Sequence, residues 1–253
     1  MPIDLNHSSG ARYEPGTSLS AAVNAHVDAA LLARHRLQVP RDYLGASRIG
    51  EPCSRRLAYE YAHAPEDPDR AFTGQTLRIF AAGHVFEDLT IEWLRTAGFD
   101  LRTRRRDGGQ FGFETAGGRI KGHIDGVIIG GPDIGIPWPA LFEHKALKAK
   151  SWSDVVKRGV ELSKPVYYAQ LQIYMAYTEL EPALFACLNK DTQELHHERV
   201  DLVPHAAQAL SDKAAGIIRA VEAHECPARI AANPDFHVCR FCPFHSTCWE
   251  TRP

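Results

Sequence analysis

Two stretches of the chain carry residues whose types and spacing suit hydrolytic chemistry. Gly122-His123-Ile124-Asp125-Gly126 is followed by Phe142-Glu143-His144-Lys145. If each lies on a strand, residues two apart face the same way. Glu143 and Lys145 then share one face, and Phe142 and His144 take the other. A turn-rich connection can bring the two strands side by side, so that Asp125, Glu143 and Lys145 converge. Two carboxylates supply the oxygen ligands that a hard divalent cation such as Mg²⁺ takes, with room left for water and phosphate. Such a cation neutralises phosphate charge and makes water more acidic. A neighbouring ammonium steadies the developing negative charge. This is a minimal set for phosphodiester hydrolysis, although an exposed strand face with cross-strand ion pairs would carry the same Glu-x-Lys pattern.

Two further segments extend the set. Gly83-His84-Val85-Phe86-Glu87 lies in a helix-like stretch, where Glu87, or His84 as a secondary candidate, can reach a metal from the helix side. A solvated face is the alternative, because Asp88 and Glu92 are charged as well. Gln170-Leu171-Gln172-Ile173-Tyr174 places Gln170 and Tyr174 four apart and so on one helix face. Their amide and hydroxyl could hold a nucleic-acid backbone, or Tyr174 could pack half-buried on a sheet.

The second constellation is made of sulfur. Cys239-Arg240-Phe241-Cys242-Pro243-Phe244-His245-Ser246-Thr247-Cys248 is Cys-x2-Cys-x5-Cys, a spacing suited to tetrahedral metal or cluster ligation. Cys53, Cys187, Cys226, His237 and His245 are the candidates for a fourth ligand. Cys187, inside Phe185-Ala186-Cys187-Leu188, reads as a small buried hydrophobe, and Cys226, before Pro227, as structural.

These groups need elements to hold them. The spacing predicts helices over Ser20–Arg36 with Ser20 as N-cap, Ala46–His63, Thr73–Ala97 stopped by Gly98, Ser153–Val160, Val166–Leu180 and Pro204–Glu222. It predicts strands over Phe99–Arg105, Gln110–Thr115, Arg119–Ile129, Ala140–Leu147, Ala183–Leu188 and Leu195–Val200, with Pro65–Asp69 as a loop. The expected fold class is mixed α/β: a central mixed sheet flanked by helices. Residues 1–18 read as a flexible lead-in, 19–227 as one domain and 228–253 as a Cys-rich tail packed on it.

Composition narrows the setting. The 253 residues are 44% hydrophobic and 24% charged, ordinary for a globular chain. No apolar run approaches membrane-spanning length, and the N-terminus lacks the pattern of a secretory signal, so a cytoplasmic location is expected. In that setting the six cysteines stay reduced, which favours metal over disulfide. A net charge of −2 gives no sign of nucleic acid by itself. Arg102, Arg104, Arg105 and Arg106 nevertheless form one basic knot, and Lys145, Lys148, Lys150, Lys157 and Arg158 another; either could equally be solvated surface.

The order Glu87, Asp125, Glu143-x-Lys145, Gln170-x-x-x-Tyr174 resembles the RecB-like branch of the PD-(D/E)XK nucleases, which includes CRISPR-associated and phage-type exonucleases. The match runs from about Ser47 to Trp249. It implies a restriction-endonuclease-like fold and a metal-dependent DNA exonuclease of recombination, repair or phage DNA processing. Glu87, Asp125 and Glu143 would hold Mg²⁺ or Mn²⁺, Lys145 would assist catalysis, and Gln170 and Tyr174 would support the site. Many RecB-like members carry a His where this chain has Glu87; the phage-type enzymes carry the acid. The segment Pro52-Cys53-Ser54-Arg55-Arg56 resembles the single early cluster cysteine of such nucleases. By that resemblance Cys53, Cys239, Cys242 and Cys248 bind a 4Fe-4S cluster, with Zn²⁺ as the alternative. Arg55, Arg56, Arg104 and Arg105 are candidate DNA contacts. DNA is the implied partner; a recombinase, helicase or single-strand-binding protein and an oligomer are compatible with it. The competing readings are a non-catalytic DNA-binding subunit of a helicase or recombination complex, and a zinc-stapled protein whose Glu-x-Lys is accidental.

Overall fold

In the computed structural model, residues 18–250 are described. The expected lead-in, apart from Ser18, lies outside them. The described chain divides into two compact units, one of residues 18–39 with 72–80, the other of 40–71 with 81–250.

The first unit holds helix α1 (Leu19–Arg36) and the first turns of a long helix, α3 (Gly74–Thr96). Asp28 of α1 pairs with Arg78 of α3. Phe72 meets His35 and Phe80 edge-on, with ring centroids 5.6 and 5.5 Å apart. α1 starts at Leu19 with Ser18, not Ser20, at its N-cap, and no side chain caps it. Its expected apolar stripe is not core: Val23 and Val27 remain 50% and 40% exposed.

The second unit is built on a five-stranded sheet of β2 (Leu101–Arg102), β5 (Gly126–Ile128), β6 (Ala140–Leu147), β7 (Ala183–Asn189) and β8 (Leu195–Val200), in that spatial order. β6 and β7 run parallel and the other neighbours antiparallel. Every residue of β7 is buried, as its unbroken apolar run requires of a strand covered on both faces. A smaller sheet joins β1 (Leu44–Gly45), β4 (Ile120–His123) and β3 (Gly112–Thr115).

Helices cover the two faces of the large sheet unequally. On one, α5 (Pro165–Thr178) and α6 (Pro204–Glu222) pack with α2 (Ser54–Tyr61) against Leu141, Leu147, Phe185 and Cys187. On the other, Ile91 and Leu94 of α3 meet Phe142, Leu184 and Ala186. Odd-numbered and even-numbered residues of β6 thus serve different cores. Pro165 and Pro204 begin their helices, where a missing N–H costs nothing. Gly98, at φ +95°, follows the end of α3. α4 (Ala149–Ser163) links β6 to α5 and is longer than expected.

Three expectations need correction. Residues 46–63 are not one helix: a 3₁₀ turn, Ala46–Arg48, precedes α2, because Pro52 lacks a donor and pushes Glu51 out of helical geometry. Residues 119–129 are two strands, broken at Ile124-Asp125 where the chain passes from the small sheet to the large one. Of 99–105, only Leu101–Arg102 pairs as a strand. Among the described residues no helix is long and apolar enough to cross a membrane.

Candidate functional site

The break between β4 and β5 sets the position of Asp125. Gly126 pairs with Phe142, so Asp125 stands one step beyond the last paired residue, level with Glu143. With no strand backbone opposite it, the His144 N–H donates instead to Asp125 Oδ2 at 2.8 Å. The neighbouring Ile124 is anchored by its N–H to Phe111 O at 3.1 Å. Gly122 and Gly126 frame the break closely. A Cβ at Gly122 would sit 2.5 Å from the Phe113 ring and 3.0 Å from Tyr174, and one at Gly126 2.8 Å from Leu101.

Glu143 is fully buried. Its Oε1 accepts from the Lys145 ammonium and from the Gln170 amide. Its Oε2 is buried with no hydrogen-bond partner, a condition that costs roughly 1–3 kcal/mol. Lys145, whose side chain is 23% exposed, also lies 5.4 Å over the Tyr167 ring. Gln170 and Tyr174 are 5% and 3% exposed. They therefore stand behind Glu143 rather than at a surface where a nucleic-acid strand could touch them. The Tyr174 ring meets Phe113 edge-on at 5.8 Å.

Glu87 comes to the same place from α3. It lines one open groove with Asp125, Arg95, Arg104 and Gln110. Burial, then Asp125, pushes its pKa up to about 7. Burial, then Asp125, pushes Glu143 to about 8, and burial raises Asp125 as well. For Lys145 burial works against the charge, but Glu143 and Asp125 outweigh it and raise its pKa. The exposed His84 is close enough to Asp125 to favour its ionised form. With all three carboxylates ionised, one ammonium would leave two negative charges uncompensated, and burial together with that crowding pushes the carboxyls toward their neutral forms.

His144 ties these parts together, a role its position in the sequence did not announce. Its ring points to the opposite face of β6, and Nε2 lies 3.1 Å from Thr90 Oγ1. Thr90 donates to Phe86 O at 2.9 Å, so the ring proton belongs on Nε2. Burial, then the nearby Lys145 charge, lowers the His144 pKa to about 4 and keeps the ring neutral. One residue thus fastens Asp125 through its backbone and, through Thr90, the turn of α3 that carries Glu87. The cue available in sequence was a polar residue on a strand face that must be covered.

The cysteines gather elsewhere. Cys53 precedes α2, Cys239 lies in α7 (His237–Arg240), and Cys248 in α8 (His245–Trp249). These three and Cys242 line one cavity, together with Arg55, Arg56, Tyr59 and His245. Burial raises the thiol pKa of Cys239 and of Cys242. Arg55 donates to Pro227 O at 2.5 Å and approaches Cys248 Sγ at 3.9 Å. Arg56 is paired with Glu60 at 3.0 Å and Glu51 at 3.4 Å. Of the four arginines expected at DNA, these two are half-buried within the protein, whereas Arg104, which donates to Gly108 O at 3.0 Å, and Arg105 are exposed. Arg104 opens on the carboxylate groove, and Arg105 is exposed, 3.5 Å from Asp107. Cys187 is core and Cys226 is exposed. The tail is held by Asp67, whose N–H donates to Pro243 O at 2.7 Å and whose carboxylate accepts from Ser246 N–H at 3.1 Å. Among the described residues, no group of three or more His, Cys, Asp or Glu side chains is placed so that it could hold a metal ion as it stands.

No protein-family model matches the sequence, and a search of curated proteins finds no match. Solved structures do resemble it. The alkaline exonuclease LHK-Exo from Laribacter hongkongensis is 15% identical, with 79% of this chain and 93% of that chain covered at a TM-score of 0.52. Its complex with dAMP matches to the same extent. SSO0001 is 16% identical, with 91% of this chain and 98% of that chain covered, also at 0.52. The mixed sheet with its flanking helices is thus the fold these proteins share.

Proposed function

We propose that this chain is a metal-dependent nuclease that hydrolyses phosphodiester bonds in DNA, with Mg²⁺ or Mn²⁺ held by Glu87, Asp125 and Glu143. The observation that carries the reading is Glu143 Oε2, a buried carboxylate oxygen without a partner. It belongs to a group that, fully ionised, carries two negative charges beyond the Lys145 ammonium, the charge that one divalent cation would balance. All three residues offer the oxygen donors such an ion takes, so the site fits it.

When bound, the ion supplies neutralisation of phosphate charge and a more acidic water. The protein does the rest. Lys145, kept protonated by Glu143 and Asp125, holds an ammonium where negative charge develops. Gln170 orients Glu143 from behind, Tyr174 fills the space beneath it, and His144 fixes Asp125. Arg104 and Arg105 meet phosphates, which positions a strand without reading its sequence. The likeness of fold to an alkaline exonuclease, one solved with dAMP, supports DNA as substrate and cleavage from an end. The motif order supports the RecB-like branch and a role in recombination or repair.

The four cysteines around one cavity suit a 4Fe-4S cluster with a structural role, Zn²⁺ being the other ion that this donor set admits. Arg55 near Cys248 Sγ offers the kind of hydrogen bond that tunes a cluster sulfur. Arg55 and Arg56 then act in the wall of the cavity, not at DNA.

The test is degradation of end-labelled linear and closed circular DNA with Mg²⁺ or Mn²⁺, comparing wild type with Glu143→Gln and Lys145→Ala. Loss of linear DNA with wild type alone supports the reading. A wild-type chain that binds DNA but is inert with both metals overturns it in favour of a DNA-binding subunit.

A further inference from the structure

α4 carries a second constellation that the proposed chemistry does not use. Residues 148–164 include Lys148, Lys150, Lys157, Arg158 and Lys164 against Asp154 and Glu161, a net of +3 in a chain whose total is −2. Lys150, Lys157 and Lys164 are spaced seven apart, and a straight helix would spread them over roughly 20 Å. The helix is not straight. Gly159 adopts φ +75° and ψ 161°, a conformation that breaks the helical run. The freed Val160 N–H is taken by Glu198 Oε2 at 2.8 Å. The chain then folds back, so that Ser163 Oγ donates to Asp154 Oδ2 at 2.5 Å although the two are nine positions apart. Lys164 is thereby returned to the side of Lys150 and Lys157, and the three lysines line one open cavity of about 460 Å³ with Ser151, Ser153 and Asp154. The one carboxylate in this cavity is already engaged, by Ser163 and by Arg158 at 3.4 Å.

The cavity is joined to the candidate active site by short stretches of chain at both ends. Lys150 follows Lys145 by five positions at the end of β6. Lys164 is followed by α5, whose Tyr167 lies beneath the Lys145 ammonium and whose Gln170 holds Glu143.

We propose that this lysine cavity binds backbone phosphates of the nucleic-acid strand whose scissile bond lies at the carboxylate site. The inference deepens the nuclease reading and rests on it. Convergent ammonium groups with serine hydroxyls suit a polyanion, recognised by charge and not by base. Gly159 is the residue that makes the site concave.

The experiment measures binding of a fluorescein-labelled single-stranded 20-mer by anisotropy, in Ca²⁺, at several salt concentrations. It compares wild type, the triple variant Lys150→Gln/Lys157→Gln/Lys164→Gln, and a charge-matched control, Arg34→Gln/Arg36→Gln/Arg219→Gln, at exposed positions elsewhere. The triple variant should bind roughly tenfold more weakly, and its plot of log affinity against log salt should be shallower by about 2. The control should match wild type. Hydrolysis of a dinucleotide, too short to fill the cavity, should proceed at the wild-type rate in all three. If the triple variant keeps the wild-type slope, or the control loses as much as it does, the lysine cavity is overturned. If wild type binds but, with Mg²⁺ or Mn²⁺ in place of Ca²⁺, hydrolyses neither the 20-mer nor the dinucleotide, the nuclease reading fails separately from the cavity.

Discussion

The carboxylate site and the cysteine cavity differ in what holds them. Asp125, Glu143 and Lys145 come from one stretch of chain, and the central strand β6 with its neighbours fixes them. Even a buried oxygen without a partner is tolerated there, because the surrounding sheet determines its place. Cys53 and Cys239 are 186 positions apart. Cys239 and Cys248 sit in helices of four and five residues, far below the length at which a helix is stable alone, and Cys242 lies in the turn between them. The first site borrows rigidity from the fold, whereas the second must lend rigidity to it. On the proposed reading, a metal at the carboxylates would therefore serve chemistry, and one at the thiols would serve stability.

The sharpest way to break this contrast is Glu143→Gln. It should lower hydrolysis by about a thousandfold, the scale of losing a principal electrostatic group, while the melting temperature stays within a few degrees of wild type. A variant that unfolds instead would show that the carboxylate site also carries the fold.

Cys239→Ser/Cys242→Ser tests the other half. Expected losses are bound metal and roughly 2–5 kcal/mol of stability, by analogy with opening a long cross-linked loop, or about 10 °C. Limited proteolysis should cut first within 224–236. An unchanged melting temperature with metal absent would make the cysteines incidental.

Thr90→Val asks whether the link from His144 to α3 positions Glu87. It leaves a buried imidazole N–H unpaired, at about 1–3 kcal/mol. The half-saturating Mn²⁺ concentration should rise roughly tenfold, with Thr90→Ser restoring it. A lower melting temperature with unchanged metal dependence would reduce Thr90 to packing.

The smallest effect is in pH. The folded-state pKa values of Glu143 and Glu87, about 8 and about 7, lie above their unfolded values. Their contribution is complete near pH 4.5 and is lost as pH rises through 7 to 8. His144, lowered to about 4, has the opposite sign and is fully favourable above about 6.5. Between pH 6.5 and 8.5 in a chelator, the melting temperature of wild type should therefore fall by a few degrees. Glu143→Gln should flatten that fall, and Mg²⁺ should reverse it. A flat wild-type profile would mean that the carboxylates carry less burial strain than their surroundings imply.

Much of the scaffold was legible because its patterns are local. β6, β8 and α6 have the bounds their sequences suggest, and Gly98 marks the end of α3. The break at Ile124-Asp125 was not legible, since Gly122–Ile129 alternates well enough for one strand and only pairing reveals the change of sheet. The 3₁₀ turn before Cys53 was hidden in the same way, by helix-like apolar spacing that Pro52 overrides. The convergence of Asp125, Glu143 and Lys145 followed from strand periodicity. The packed alternative for Tyr174 is the one the fold takes, more deeply than half-buried, against Phe113 and Gly122 of the small sheet; the burial of Gln170 behind Glu143 did not follow. The helix expected over Ser153–Val160 took no account of Gly159, which proves to be a reversal that gathers lysines.

The crossing between sheets at Asp125 also governs how this chain can diverge. The segment 129–139 joins β5 to β6 outside their paired residues, so insertions there leave the register of Gly126 with Phe142 untouched. A single insertion between Gly122 and Gly126 would turn the aspartate away from Glu143. Distant relatives should therefore vary freely in the gap between the two acidic motifs while preserving the few residues around each, and recognition by spacing within motifs should outlast recognition by overall identity.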